Sequence, residues 1–450
     1  MQVTIIGGGS FQWGPTLVAD LLLTPCFAEG GQLVLEDIDP APLAKIEALA
    51  HRMIDHLDAA VTVTTTTDQR KSLEGADFVV VTISTGGFES MRVDLDVPAR
   101  HGIRQSVGDS VGPGGVNRSL RNIPVLVGIA RDMEQTCPGA WLLNITNPMT
   151  ALTRAVCRET SIQAVGLCHE VGNFQFDLAI ALGLPHTAVR PTVSGVNHFP
   201  VVTDLEVDGR DGFEVVRELV DSVGGMEAIA PGALRDEPEP MSRLDFGVRN
   251  YLKLSMFERW GVIPAAGDRH LAEFLPSILT EDAEWGRAWG VELTPMSKRE
   301  ADQADFIATV DRQLDGSERL HTWPSGEMMA MVVDSLTTGE HRELPVNIPN
   351  AGQCPDLPPD VVVESMCVVD ADGVRGRDQA RVPPVVAELL RRHVATQELT
   401  VEAAVRADRA LAVQAFTLDP LAGRGDLRDT EAMADELLSG TARWLPTGRS

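Results

Sequence analysis

Residues 3–6, a short apolar run, pass directly into Gly7-Gly8-Gly9-Ser10 and then into a helical stretch over 16–23, and no other feature limits the fold so strongly. Strand, glycine turn and helix in that order open a parallel sheet, and the bare backbone of the turn lets a pyrophosphate approach the N–H groups at the helix start. The usual third glycine would fall at Gln12, so the turn alone is a weak signal. Its context strengthens it. Asp37 closes the next strand, near the position about 20 residues beyond the glycines where a carboxylate accepts both ribose hydroxyls and repels a 2'-phosphate. This favours NAD over NADP, with Asp39 as the adjacent alternative.

The alternation continues along the first part of the chain. Apolar runs at 32–35, 78–83, 141–145 and 164–167 and the alternating stretch 61–66 predict further strands, and 43–57 and 120–135 carry helical periodicity. About six strands suffice for one doubly wound sheet. Beyond residue 190 the alternation gives way to a strand at 201–207, helical stretches at 243–260, 385–396 and 401–416, and proline-rich turns. The expected fold is α/β: a Rossmann-like doubly wound parallel sheet over residues 1–190, followed by an α+β domain over 191–450 that carries substrate, metal and oligomer contacts.

Composition narrows the functional classes. Against 65 acidic side chains stand 38 basic ones, a formal charge of -27 that would repel nucleic acid and an anionic membrane face. No apolar run approaches the roughly 20 residues of a membrane span, and the apolar start has no basic leader, so a cytoplasmic protein is expected. The six cysteines lack paired spacing, which argues against a disulfide framework.

Cys168 follows the strand at 164–167 and His198 follows the apolar run at 193–196, so both can project from strand ends towards one crevice and hold a divalent cation; spacing alone carries no metal signature. The stretch 266–274 places Asp268, Arg269, His270 and Glu273 within six positions, either an acid/base cluster or an ion-paired loop. Residues 106–115, rich in glycine and containing Asp109, read as a cradle for an anionic or hydroxylated ligand, or as a flexible connection.

Six motifs then occur in one order: Gly7-Gly8-Gly9-Ser10, Asp37, Gly112-Pro113-Gly114-Gly115, Asn144-Ile145-Thr146-Asn147-Pro148-Met149, Gly166-Leu167-Cys168-His169-Glu170 and Gly195-Val196-Asn197-His198-Phe199. In this the chain resembles glycoside hydrolase family 4 from end to end. The resemblance implies a fold similar to lactate and malate dehydrogenases, NAD and a divalent metal, usually Mn2+, as cofactors, and a homodimer or homotetramer. It implies Gly7, Gly8, Gly9, Ser10, Asp37 and Ser84 at the cofactor, Cys168 and His198 on the metal, Asn147 at the substrate hydroxyls, and Asp268 as base. Oxidation at C3 of the sugar would acidify the C2 proton; its removal by Asp268 would expel the aglycone, and return of hydride would regenerate NAD+. In some members an aspartate after the metal cysteine protonates the leaving group; here that place is His169, and Asp109 is the other candidate. A Cys/His pair is soft for Mn2+, so weak metal binding is expected in the free enzyme.

Members acting on 6-phosphoglycosides carry arginines after the fourth strand, where this chain has Ser84 and Met91, with Arg92 one position late. Together with Cys168-His169-Glu170-Val171 and the stretch 263–276, this looks most like the α-galacturonidase branch. A C6 carboxylate needs one cation, for which Arg269 or His270 are candidates, with Arg104 and Arg118 as alternatives. The expected substrate is a small oligosaccharide or glycoside, with other family 4 activities and a 2-hydroxy-acid dehydrogenase as rival readings.

Overall fold

The computed structural model describes residues 1–234 and 236–446. Its strands are β1 Gln2–Ile6, β2 Gln32–Glu36, β3 Thr62–Thr66, β4 Phe78–Val81, β5 Trp141–Asn144, β6 Gln163–Gly166, β7 Val189–Val196, β8 Phe199–Val207, β9 Arg210–Asp211, β10 Ile263–Pro264, β11 Arg342–Pro349, β12 Val362–Asp370 and β13 Gly373–Gly376. They form one mixed sheet in the order β10-β8-β7-β12-β11-β6-β5-β4-β1-β2-β3, with β13 beside β12 and β9 beside β8. The run from β6 to β3 is parallel throughout, and the order reverses between β1 and β4, the switch point at which such sheets open a crevice. Helices cover both faces of this half, so β4, Phe-Val-Val-Val, is buried at every position.

From β7 onward the pairing is antiparallel. The two halves meet where β11 pairs β6 through Asn347 and Gly166, and one apolar cluster runs from Val79 and Leu142 to Leu390 and Phe416. Among the described residues no helix is long and apolar enough to cross a membrane.

Three helical stretches differ from expectation. The glycine-rich segment is no loop beyond Val111: Gly112–Thr136 is one helix, opening with Pro113 in its first turn. A Cβ on Gly115 would stand 2.6 Å from the Ser110 carbonyl carbon, and one on Gly114 2.7 Å from Gly108 O, so these glycines serve close packing of the helix start. The stretch 243–260 is two helices, Arg243–Arg249 and Tyr251–Trp260, because Asp268 takes the amides of Leu252 and Lys253 and starts the second one afresh. Conversely, Pro384–Arg406 runs through 397–400, since Thr400 Oγ1 donates to Thr396 O at 2.7 Å and stays within the helix. The break comes at Ala407, with φ +53, before Asp408 caps the next helix.

The helix Gly112–Thr136 is fixed to the chain after β4 by a wholly buried ion pair. Arg121 Nη1 meets Asp94 Oδ1 at 2.9 Å, Nη2 meets Oδ2, and Nε donates to Thr85 O at 3.0 Å, while Asn117 Nδ2 adds a bond of 2.8 Å to the same carboxylate. Removing one partner of such a pair leaves an uncompensated charge. Arg121→Met should therefore cost about 3–5 kcal/mol, read from urea unfolding, and Arg121→Met combined with Asp94→Leu should recover most of it. Equal losses in the single and double variants would contradict this account.

Candidate active site

The turn after β1 is built on close backbone approach. Gly7 has φ +86, and a Cβ there would lie 2.0 Å from Thr82 O. Gly7 and Gly8 both donate to Glu36 O, at 2.9 and 2.7 Å, and Gly9 N–H donates to Asp37 Oδ2 at 3.0 Å. Ser10 Oγ accepts from Trp13 N at 3.1 Å as the helix Gly14–Leu22 begins. Asp37 thus sits against the glycine turn, whereas Asp39 caps the helix Pro40–Leu57 through Ala41 N. Burial, with Asp37 and Asp68 nearby, pushes Glu36 up to about 7. Ser84 is exposed just beyond β4.

Asn147 follows β5, Cys168 follows β6, and Asn197-His198 form the two-residue turn joining β7 to β8, His198 with φ +66. Asp268, Arg269 and His270 lie on the short helix Asp268–Phe274 behind β10. The structure gathers Asp109, His198 and His270: one ligand atom from each lies within 4.8 Å of the others. The two imidazole centroids are 3.8 Å apart, and Ser110 Oγ bridges Asp109 Oδ1 at 2.9 Å and His198 Nδ1 at 2.7 Å. Burial, helped by His270, pushes His198 down to about 3, so its ring is neutral. Burial works to raise Asp109, but His270, His198 and Arg118 outweigh it and hold the carboxyl below its ordinary range.

Cys168 stands outside that group. Its thiol meets the Asn197 side chain, and burial, with Glu364 and Glu170 adding to it, pushes the thiol well above its usual value. Asn197 Nδ2 donates to Glu364 Oε2 at 3.3 Å, and burial raises Glu364 to about 8. His169 Nδ1 lies 2.7 Å from Glu327 Oε1 and Nε2 3.5 Å from Glu170 Oε1. Burial opposes its charge, yet the two carboxylates raise the imidazole to about 10.

Asp268 is buried, with Oδ2 accepting Leu252 N–H at 2.8 Å and Oδ1 accepting Lys253 N–H at 3.2 Å; burial pushes it up to about 6, against the pull of Lys253. Arg269 is exposed and donates to Thr294 Oγ1 at 3.1 Å, and Arg104 lies over the Trp285 ring. Arg118 is the buried guanidinium. Its Nε donates to Asn147 O at 2.9 Å, and among the described residues its two Nη groups carry no hydrogen bond. Asn147 Oδ1 and His270 Nδ1 are buried without partners.

The family 4 glycosyl hydrolase model matches residues 2–184, and the model of that family's C-terminal domain matches residues 193–422. The chain belongs to glycoside hydrolase family 4. An α-galacturonidase of Lachnoclostridium phytofermentans is 32% identical over 99% of this chain and 97% of its own length. The crystal structure of a Bacillus subtilis protein provisionally called a glucosidase superposes with a TM-score of 0.86 at 32% identity, covering 97% of this chain and 99% of the other. A 6-phospho-α-glucosidase from gut microorganisms, in complex with NAD and Mn2+, shares the fold at TM-score 0.81 and 21% identity, over 100% and 99% of the two chains.

Several groups around this family 4 site escaped the sequence reading. Glu364 lies in β12 among apolar residues, and a lone acid in a run such as Val361-Val362-Val363-Glu364-Ser365-Met366 was the available signal of a buried carboxyl. Lys253, also buried, bonds Asn250 Oδ1 at 2.8 Å. Arg299 donates to Val107 O at 2.6 Å, and nothing local in the sequence marks it or Glu327.

Glu273 Oε1 accepts the amides of Val107 and Gly108, both at 2.7 Å, while its Oε2 is buried without a partner. Burial raises the group to about 8. Its folded value exceeds the unfolded one, so its contribution to stability is complete below about pH 4.5 and is lost as pH rises through about 8. Glu273→Gln keeps the accepting oxygen and cannot ionise. Comparing unfolding midpoints at pH 5 and pH 8.5, the variant should gain on the wild type at the higher pH; parallel midpoints would show that Glu273 ionises freely.

Proposed function

We propose that this family 4 glycosidase is an α-galacturonidase, releasing galacturonic acid from α-linked pectin-derived oligosaccharides with NAD+ and Mn2+ as resident groups. Arg118 carries the reading: a buried guanidinium with uncommitted Nη groups, charge neighbour of Asp109 and bonded to the backbone of Asn147, suits a sugar carboxylate. The phosphosugar alternative has less support, because Met91 is buried and Arg92 is turned away into an ion pair with Glu300.

The residues fit both groups. The glycine turn leaves no room for side chains where a pyrophosphate would approach, and Asp37 stands beside it for the ribose. His198 is neutral, as a ligand nitrogen must be, while the Cys168 thiol needs a cation to ionise. When bound, NAD+ and the metal supply reversible hydride removal at C3 and polarisation of the C2 and C3 oxygens.

The chain does the rest. Asn147 offers its unpartnered Oδ1 to a sugar hydroxyl. Asp268, ionised at neutral pH, takes the proton from C2 as general base, and the two helix amides stabilise its charged form. His169 protonates the leaving oxygen: Glu327 and Glu170 keep it charged, whereas Asp109 holds no proton to give. All six cysteines are free, which favours the reducing cytoplasm. Assembly as a homodimer or homotetramer belongs to the same proposal.

With NAD+, Mn2+ and a thiol reductant, p-nitrophenyl α-galacturonide should be cleaved faster than the α-glucuronide, α-glucoside or a 6-phosphoglucoside, solvent deuterium should enter C2, and no net NADH should form. NADH accumulating in step with substrate consumption would point instead to a dehydrogenase. Arg118→Met should lower kcat/KM for the uronide about 10- to 100-fold while changing turnover of a neutral α-galactoside far less. Arg269→Ala should leave the ratio of the two rates unchanged; equal loss on both substrates in Arg118→Met would remove that residue from carboxylate recognition.

A further inference from the structure

In the reading proposed above, Cys168 and His198 would hold the cation together with oxygens of the bound sugar. Without sugar the same pair leaves a hard cation poorly served, since Mn2+ favours oxygen and nitrogen over sulfur. The structure places a different set around His198. We propose that in the sugar-free enzyme Mn2+ is held by Asp109, His198 and His270, two imidazoles and a carboxylate. This rests on the reading of the protein as a metal-dependent family 4 glycosidase and adds a ligand set to it.

Three observations carry the proposal. The ligand atoms of these residues lie within 4.8 Å of one another, against roughly 4.4 Å between donors on opposite sides of an ion with bonds of about 2.2 Å, intermediate between those of Mg2+ and Ca2+. Small closure brings them onto one ion. His270 Nδ1 is buried with no hydrogen-bond partner, a nitrogen withdrawn from water that nothing in the protein satisfies. Ser110 Oγ, bonded to both Asp109 Oδ1 and His198 Nδ1, orients two of the ligands from behind and leaves His198 Nε2 to bind, as a supporting shell does at metal centres. The carboxylate also offsets part of the ion's charge beside Arg118 and Arg299.

The test uses full-length protein stripped of nucleotide and free of sugar, titrated with Mn2+ and followed by electron paramagnetic resonance. Pulsed spectra of the bound ion count coordinated imidazoles in the wild type, so the answer does not depend on any variant folding. Two imidazole nitrogens are expected, falling to one in His270→Gln, with at least tenfold weaker binding in His270→Gln and Asp109→Asn and less than threefold change in Cys168→Ser. A single imidazole in the wild type, or loss of Mn2+ in Cys168→Ser with retention in His270→Gln, overturns the proposal. Failure of the glycosidase reading shows elsewhere, as absence of sugar release from every glycoside when NAD+ and Mn2+ are supplied.

Discussion

The site depends on a segment that cannot hold its own shape. Residues 106–111 contain little regular structure, yet they deliver Asp109 and Ser110 to His198. Buried acceptors from remote parts of the chain fix them: Glu273 takes the amides of Val107 and Gly108, Asp419 takes that of Gly112, and Ser106 Oγ donates to Arg269 O. Each buried N–H would otherwise lack a partner, at a cost of roughly 1–3 kcal/mol apiece. The clamp also links the cofactor half of the chain to the short helix Asp268–Phe274, so Asp268 and the candidate ligands share one scaffold.

Burial governs the chemistry of this scaffold more than charge pairing does. Glu273 and Glu364 are raised to about 8 and Asp268 to about 6, each chiefly because its surroundings exclude water. His198 is depressed to about 3 for the same reason, whereas His169, some distance along the chain and flanked by two carboxylates, goes the other way. Two histidines of one sequence type thereby acquire opposite charge states, one neutral and one protonated.

The parallel half was legible because its signals are local. All but one of its strands carry a short apolar run, β3 with its Thr-Val-Thr-Thr-Thr being the exception, and the glycine turn and Asp37 fall where strand ends require them. The glycines at 112–115 misled for an instructive reason: they resemble a loop in composition, but their lack of a Cβ serves contact with Ser110 and Gly108 at a helix start. Glu327 and Arg299 were illegible, since their partners His169 and Val107 lie 158 and 192 positions away, and the pattern around Glu364 shows its burial but not its partner Asn197. The grouping of His198 with His270 follows from β10 lying beside β8 at the far end of the sheet, a pairing that no motif announces.

The buried Arg118 has a kinetic consequence. Under the proposed uronide specificity, a chain of formal charge -27 surrounds Arg118 with a field that discourages an anionic sugar from approaching at all. Attraction begins only within the crevice, past a repulsive atmosphere that dissolved ions thin to about 8 Å at physiological strength. Encounter with a uronide should therefore quicken as salt is added, the reverse of an enzyme that draws its ligand in by long-range attraction.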